Sequence, residues 1–140
     1  MSTLRRGFTL IELLVVITIV GILIGLSVFG LAGSRESSRD AKRKADLELI
    51  RSGIEIYKSD CNVYPTDAEV VTDTVLEGTG SPASCAVANI YIQKVPGDPD
   101  GGDYCYNRVT TVTFDLCAKL ESLAAGTLCG CGANYKVTNP

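Results

Sequence analysis

The chain of 140 residues contains no histidine. A His-based catalytic triad or a His-ligated metal centre therefore cannot be built from this chain alone. There is no nucleophile motif and no phosphate-binding loop, so an enzyme is the least supported class. Six cysteines are present but none is spaced as CxxC, which leaves a zinc site the runner-up to disulfides. No proline precedes Pro65, and no charged residue interrupts residues 13–34. No A-x-A-like cleavage site follows that run, which is also too long for the apolar middle of an ordinary secretory signal. No internal repeat is visible. The chain has 13 Lys and Arg against 16 Asp and Glu, and two of the basic residues, Arg5 and Arg6, stand at the start. The rest is more acidic still. That argues against a nucleic-acid affinity spread over the whole surface and leaves nucleic-acid binding otherwise undecided.

What is present is organised around RRGFTLIELLVVITIVGILIGLSVFGLAG, Arg5 to Gly33. As a helix at ~1.5 Å per residue, its uncharged part spans about 33 Å, close to the hydrocarbon thickness of a bilayer. The preceding arginines favour an N-terminus held in the cytoplasm, with the remainder sent outward. Glu12 is the odd residue. A carboxylate at the start of a membrane-length helix is costly and calls for a named partner.

Residues 34–60 lack proline and continue the helix. Leu47, Ile50, Ile54 and Tyr57 fall at helical steps on one stripe, extended by Ala41 and Ala45, while charged residues 35–48 form a solvated opposite face. One helix from Phe8 to about Ser59 is expected. It ends before Tyr64-Pro65, since the residue before proline avoids the α region. Residues 66–94 show no clear period, with Ala83–Gln93 a short helix or strand. Pro96–Gly102 is a dense turn cluster. Three β-like segments follow, at Tyr104–Tyr106, Val109–Leu120 and Ala133–Val137. The expected fold class is α+β: a long N-terminal helix packed on a small antiparallel sheet and stapled by disulfides. Its divisions are a leader (1–7), an apolar helical half (8–33), an amphipathic half (34–59) and a small β-rich domain (60–140).

The six cysteines, Cys61, Cys85, Cys105, Cys117, Cys129 and Cys131, all lie beyond the apolar run. An even count there reads as disulfides in an oxidising compartment, stapling a domain with little core. Cys129 and Cys131 each pair elsewhere, among 15 possible connectivities. Tyr64, Tyr91, Tyr104, Tyr106 and Tyr135 read as exposed candidates for adhesion or stacking, with several belonging to the core.

The order Arg5-Arg6-Gly7-Phe8-Thr9-Leu10-Ile11-Glu12 resembles the processing signature of type IV pilins and of the pseudopilins of type II secretion. The resemblance continues through the charged shoulder of the helix to Tyr64-Pro65-Thr66. VPGDPDGGDYCY (95–106) resembles the loop before the sheet of the major pseudopilin. The resemblance implies cleavage between Gly7 and Phe8 by a prepilin peptidase and N-methylation of the new Phe8 amine. It also implies that Glu12 pairs with the Phe8 amine of a neighbouring subunit in a helical homo-oligomeric filament. Gly21 and Gly25 form a GxxxG, with Gly30 and Gly33 a second small-residue pair, suited to close helix approach or local unwinding. Many family members have a proline in this span and this chain has none, so the glycines are the only candidates for a kink. Asp98, Asp100 and Asp103 read either as turn residues or as calcium candidates, the latter being what the major-pseudopilin resemblance suggests.

The first expectation is a prepilin polymerised by a pilus assembly machinery into an extracellular, cell-surface type IV pilus. The alternative is a pseudopilin of a type II secretion piston. A third is a binding module on an uncleaved membrane anchor. In the first two the precursor sits in the cytoplasmic membrane before assembly.

Overall fold

The computed structural model describes residues 7–139, and the side chains of all of these except 28–32. The expected leader residues Arg5 and Arg6 lie outside the described residues. Helix α1 covers Leu10–Cys61, 52 residues. Phe8 and Thr9 precede it, so the helix starts two residues later than the apolar pattern alone suggests. The chain divides into two compact units, Met1–Glu36 and Ser37–Pro140, each described separately below.

In the first unit, α1 carries no charge on any side from Leu13 to Ser27. The window Leu10–Ser27 has a mean hydropathy of 2.7 and none of it is buried. At ~1.5 Å per residue its 18 residues reach about 27 Å, enough to cross a membrane. Ideal Cβ atoms at Gly21 and Gly25 would meet nothing within 4 Å, so both glycines present open helix surface.

In the second unit, Ser37–Cys61 of α1 carries a buried stripe. Leu47, Ile50, Ile54 and Tyr57 are at most 2% exposed, as their spacing requires. The stripe does not continue through Ala41 and Ala45, which are exposed. It continues through Arg43 and Asp40, both buried, and ends at Cys61. The seven residues from Asp40 to Cys61 recur at alternating steps of three and four, one seam of a helix. Two of the charges assigned to a solvated face thus lie inside.

Against this seam pack two antiparallel sheets. Strands β1 (Leu76–Glu77) and β2 (Ile90–Ile92) form a two-stranded sheet; β2 falls within Ala83–Gln93, where a short helix or strand is expected, and β1 lies where no period is seen. Strands β3 (Cys105–Thr110), β4 (Thr113–Ala118) and β5 (Tyr135–Thr138) form a sheet in the order β3-β4-β5. The segment expected as one strand from Val109 to Leu120 is instead cut by the turn between β3 and β4. Central β4 buries Phe114 and Leu116 into a core shared with Tyr64, Leu76, Ile92, Val95 and Val137. Phe114 meets Tyr64 edge-on at 4.8 Å between ring centroids, a favoured aromatic geometry. Tyr64 is therefore core and not an adhesive surface residue. Tyr91, Tyr104, Tyr106 and Tyr135 are half-buried. Three of their hydroxyls donate inward: Tyr91 to Asp60 (3.2 Å), Tyr104 to Asp46 (2.9 Å) and Tyr106 to the Pro65 carbonyl (2.8 Å).

All six cysteines are paired, as Cys61–Cys85, Cys105–Cys131 and Cys117–Cys129. Cys105 and Cys117 face each other in the β3–β4 register, so the Cys129-Gly130-Cys131 tongue is joined to both strands. The αL conformations of Cys129 (φ 55°) and Gly130 (φ 75°) turn the chain there.

Gly53 sits where β2 crosses the helix. A Cβ on it would lie 2.2 Å from Ile92 Cγ1 and 2.6 Å from Cδ1. Leucine at this position gains less than ~1 kcal/mol in helix propensity, while overpacking costs about 1–3 kcal/mol. Gly53→Leu is expected to lower the melting temperature of the domain by several degrees, read by near-ultraviolet circular dichroism of the tyrosines and disulfides. An unchanged transition would contradict this packing.

Candidate functional site

The start of α1 is built by a local motif. Thr9 is the N-cap: its hydroxyl oxygen accepts from the Glu12 amide (3.4 Å). In return the Glu12 carboxylate accepts from the Thr9 amide (2.9 Å) and the Thr9 hydroxyl (2.7 Å). This is a T-x-x-E capping box, in which side chains satisfy backbone donors that a helix start leaves unpaired. The partial positive charge of the helix N-terminus further favours an acid in the first turn. The sequence signal for it is Thr9 three residues before Glu12. Glu12 is thus not without a partner before any assembly. Around it Phe8, Ile11, Val15 and Val16 line a shallow apolar concavity on one helix face, with Phe8 87% exposed. Gly7 and Phe8, the residues flanking the expected cleavage, lie ahead of the helix in irregular, exposed backbone.

A second constellation lies in the folded domain, around Arg43. Its guanidinium has five N–H donors, and five carboxylate contacts engage them. Nε donates to Asp98 Oδ2 (2.7 Å) and Nη2 to Asp98 Oδ1 (3.0 Å), a bidentate fork. Nη2 also donates to Asp100 Oδ2 (2.8 Å), and Nη1 to Asp40 Oδ1 (2.9 Å) and Glu121 Oε1 (2.7 Å). Arg39 adds a second guanidinium, donating from Nε to Glu121 Oε1 (2.6 Å) and pairing through Nη2 with Oε2. Asp40 in turn accepts from the amides of Glu121 and Ser122, each at 2.9 Å. The helix therefore grips both the 96–103 turn and the chain that leaves β4. Sequence reasoning missed Arg43 and Asp40. Their signal was positional, since they lie four and seven residues before Leu47, on the core stripe.

The charges shift accordingly. Burial pushes the Asp40 carboxyl up, but hydrogen bonds from Ser122, the Glu121 amide and Arg43 outweigh it and hold the group well below the usual range. Asp98 follows the same balance, with burial opposed by Arg43 and the Asp100 amide, and is also lowered. Glu121 is brought down to about 2 by its bonds to Arg39 and then Arg43. Arg43 is raised by Asp98 against the effect of burial, so it stays charged throughout.

These bonds bear on the calcium candidates. A calcium ion takes six to eight oxygens, roughly 2.3–2.6 Å away, converging on one point. Both Asp98 oxygens point instead at Arg43, and Asp98 Oδ1 also accepts the Asp100 amide (2.9 Å). Asp103 lines an open polar cleft that it shares with Asp98, Lys42 and Lys94, and two of those neighbours are cations. Among the described residues no three His, Cys, Asp or Glu side chains are grouped to hold a metal ion. The three aspartates do not fit the ion as they are placed.

Carboxyls with depressed folded-state values stabilise the fold above their unfolded values, near 4, and lose that contribution as pH falls through the folded ones. The domain is therefore expected to hold constant stability from pH 7 to about 5 and to weaken progressively below pH ~4. Glu121→Gln should weaken the domain at pH 7 and flatten the acid slope. Chemical denaturation at several pH values measures both, and an unaltered slope would count against the Glu121 contacts.

The chain also matches known families. A family model described as the prokaryotic N-terminal methylation motif matches residues 3–28. A second, described as type II secretion system (T2SS), protein G, matches residues 30–138. Similar proteins include the type II secretion system core protein G of Escherichia coli (strain K12). That protein is 36% identical over 102 residues, covering 71% of this chain and 70% of the relative. The protein of the same name from Vibrio cholerae is 35% identical over 102 residues, 73% of this chain and 70% of its own length. The one from Pseudomonas aeruginosa is 34% identical over 103 residues, 73% and 72%. These names are those of a secretion-system core protein and not of an enzyme. By the match over residues 30–138 and by these relatives, the chain belongs to the type II secretion system protein G family, within the type IV pilins and pseudopilins.

Proposed function

We propose that this protein is a pseudopilin subunit of a type II secretion system. A prepilin peptidase cleaves it between Gly7 and Phe8, the Phe8 amine is methylated, and it polymerises into a short helical pseudopilus with the secretion machinery. The observation that carries this reading is the match of the protein G model over residues 30–138, joined to the methylation motif over residues 3–28. The first expectation from sequence, an extracellular type IV pilus, gives way to its alternative on the same ground, since the relatives named are secretion core proteins.

The chemistry of the start of α1 supports a sequence of steps. Before cleavage the Leu10–Ser27 window anchors the precursor in the membrane, and Glu12 is satisfied by its capping box. Cleavage after Gly7 creates a cationic amine at Phe8, four residues from Glu12. A carboxylate left without a cation in hydrocarbon costs several kcal/mol, so a register that brings Glu12 to the amine of a neighbouring subunit is favoured over others. The exposed glycines Gly21 and Gly25 then allow the apolar helices of adjacent subunits to approach closely.

Two measurements test the proposal. Intact-mass analysis of the assembled protein should find a chain starting at methylated Phe8. A chain retaining residues 1–7 in the assembled fraction overturns it. Glu12→Leu is expected to insert in the membrane normally but to yield no pseudopilus and no secreted proteins in the culture medium. Unimpaired secretion by that variant would remove Glu12 from the assembly step.

A further inference from the structure

We infer that Arg43 is the resident cation of this domain: its guanidinium occupies the position between helix, turn and post-β4 chain at which a divalent ion would otherwise be required. These four carboxylates therefore need no calcium to be held together. The inference concerns the stability of the domain and stands independently of the filament reading.

Four carboxylates from three separate stretches of chain converge there, namely Asp40 on α1, Asp98 and Asp100 in the 96–103 turn, and Glu121 beyond β4. Like charges brought together repel strongly in a partly dry environment, so the convergence needs a cation. The candidate on the page is covalently attached. The Arg43 side chain is only 3% exposed, and its planar fork spreads one charge over five donors. The donors and acceptors also match in number. Each N–H has a carboxylate oxygen, and among the described residues no buried side-chain nitrogen or oxygen lacks a partner. A divalent ion brought into this cluster would have to displace the guanidinium from Asp98 and would then sit beside an unneutralised buried arginine. Both changes are unfavourable.

The negative charge in excess of Arg43 and Arg39 does not reopen the site. It falls on the outermost members, Asp100, with 59% of its side chain exposed, and Glu121, with 28% exposed, where water screens it. The inner carboxylates, Asp40 and Asp98, are the ones whose oxygens are fully committed to Arg43 and to backbone amides. A tethered cation differs from a bound one in a measurable way. Its contribution does not depend on ion concentration, whereas a ligand that binds only the folded state raises stability as its concentration rises.

The test is thermal unfolding of the full chain in detergent micelles, followed by near-ultraviolet circular dichroism in EDTA and in millimolar calcium chloride. The wild-type transition is expected at the same temperature in both. A rise of roughly 5 °C or more in calcium would overturn the inference, since that is the scale on which a specifically bound ion acts. Arg43→Gln keeps the polar stem but removes the charge. It is expected to lower the transition in EDTA by on the order of 10 °C, the scale for stranding buried charges. A variant as stable as the wild type would equally overturn it. Should Arg43→Gln fail to fold, the wild-type comparison and a calorimetric calcium titration of the wild-type chain, expected to show no binding heat, still decide the question.

Discussion

The folded domain depends on one seam of α1. Seven residues from Asp40 to Cys61 face inward, and each part of the seam fixes a different stretch of the chain. Its middle is hydrocarbon, where Leu47, Ile50, Ile54 and Tyr57 bury against the residues of two small sheets. Its far end is covalent, through Cys61–Cys85. Its near end is electrostatic, through Asp40 and Arg43. The two-stranded β1–β2 sheet is too small to be stable in isolation, so packing on the helix seam is what makes it persist.

That division of labour explains which features could be read in the sequence. The apolar middle was legible because hydrophobic periodicity reports burial directly, and the alternation of Phe114, Leu116 and Ala118 was legible for the same reason. Arg43 and Asp40 were not legible as core. Charge is ordinarily evidence for solvent, and only their distant partners at 98, 100 and 121 reverse that meaning. The two-residue β1 was too short to show a period, and the three-residue β2 too short to separate strand from helix within Ala83–Gln93. The turn that splits β3 from β4 lies in a run of Thr and Val whose side chains suit either strand or turn. Cysteine positions announced disulfides without saying which, because the pairing is settled by strand register and not by spacing.

At the start of the helix, Glu12 has two surroundings to satisfy. Read against a membrane, Glu12 is an unpaired acid. Read with Thr9, it is half of a capping box that satisfies helix donors. The two readings are compatible, because the cap gives the acid local hydrogen-bond partners whatever it pairs with later. Gly7 and Phe8, the residues expected to flank a cleavage, precede the helix in exposed backbone.

The disulfide pattern has a topological consequence. Cys61–Cys85 closes one covalent ring, and Cys105–Cys131 closes another that contains Cys117–Cys129. A nick in either ring leaves the two fragments joined. Between the first and last cysteines, only residues 86–104 lie outside both rings, so a break there would separate the polypeptide into two pieces held by contacts alone. Asp98 and Asp100, the residues that Arg43 grips, belong to this unringed stretch. The ionic fastening thus falls on the part of the domain that the covalent fastenings leave open.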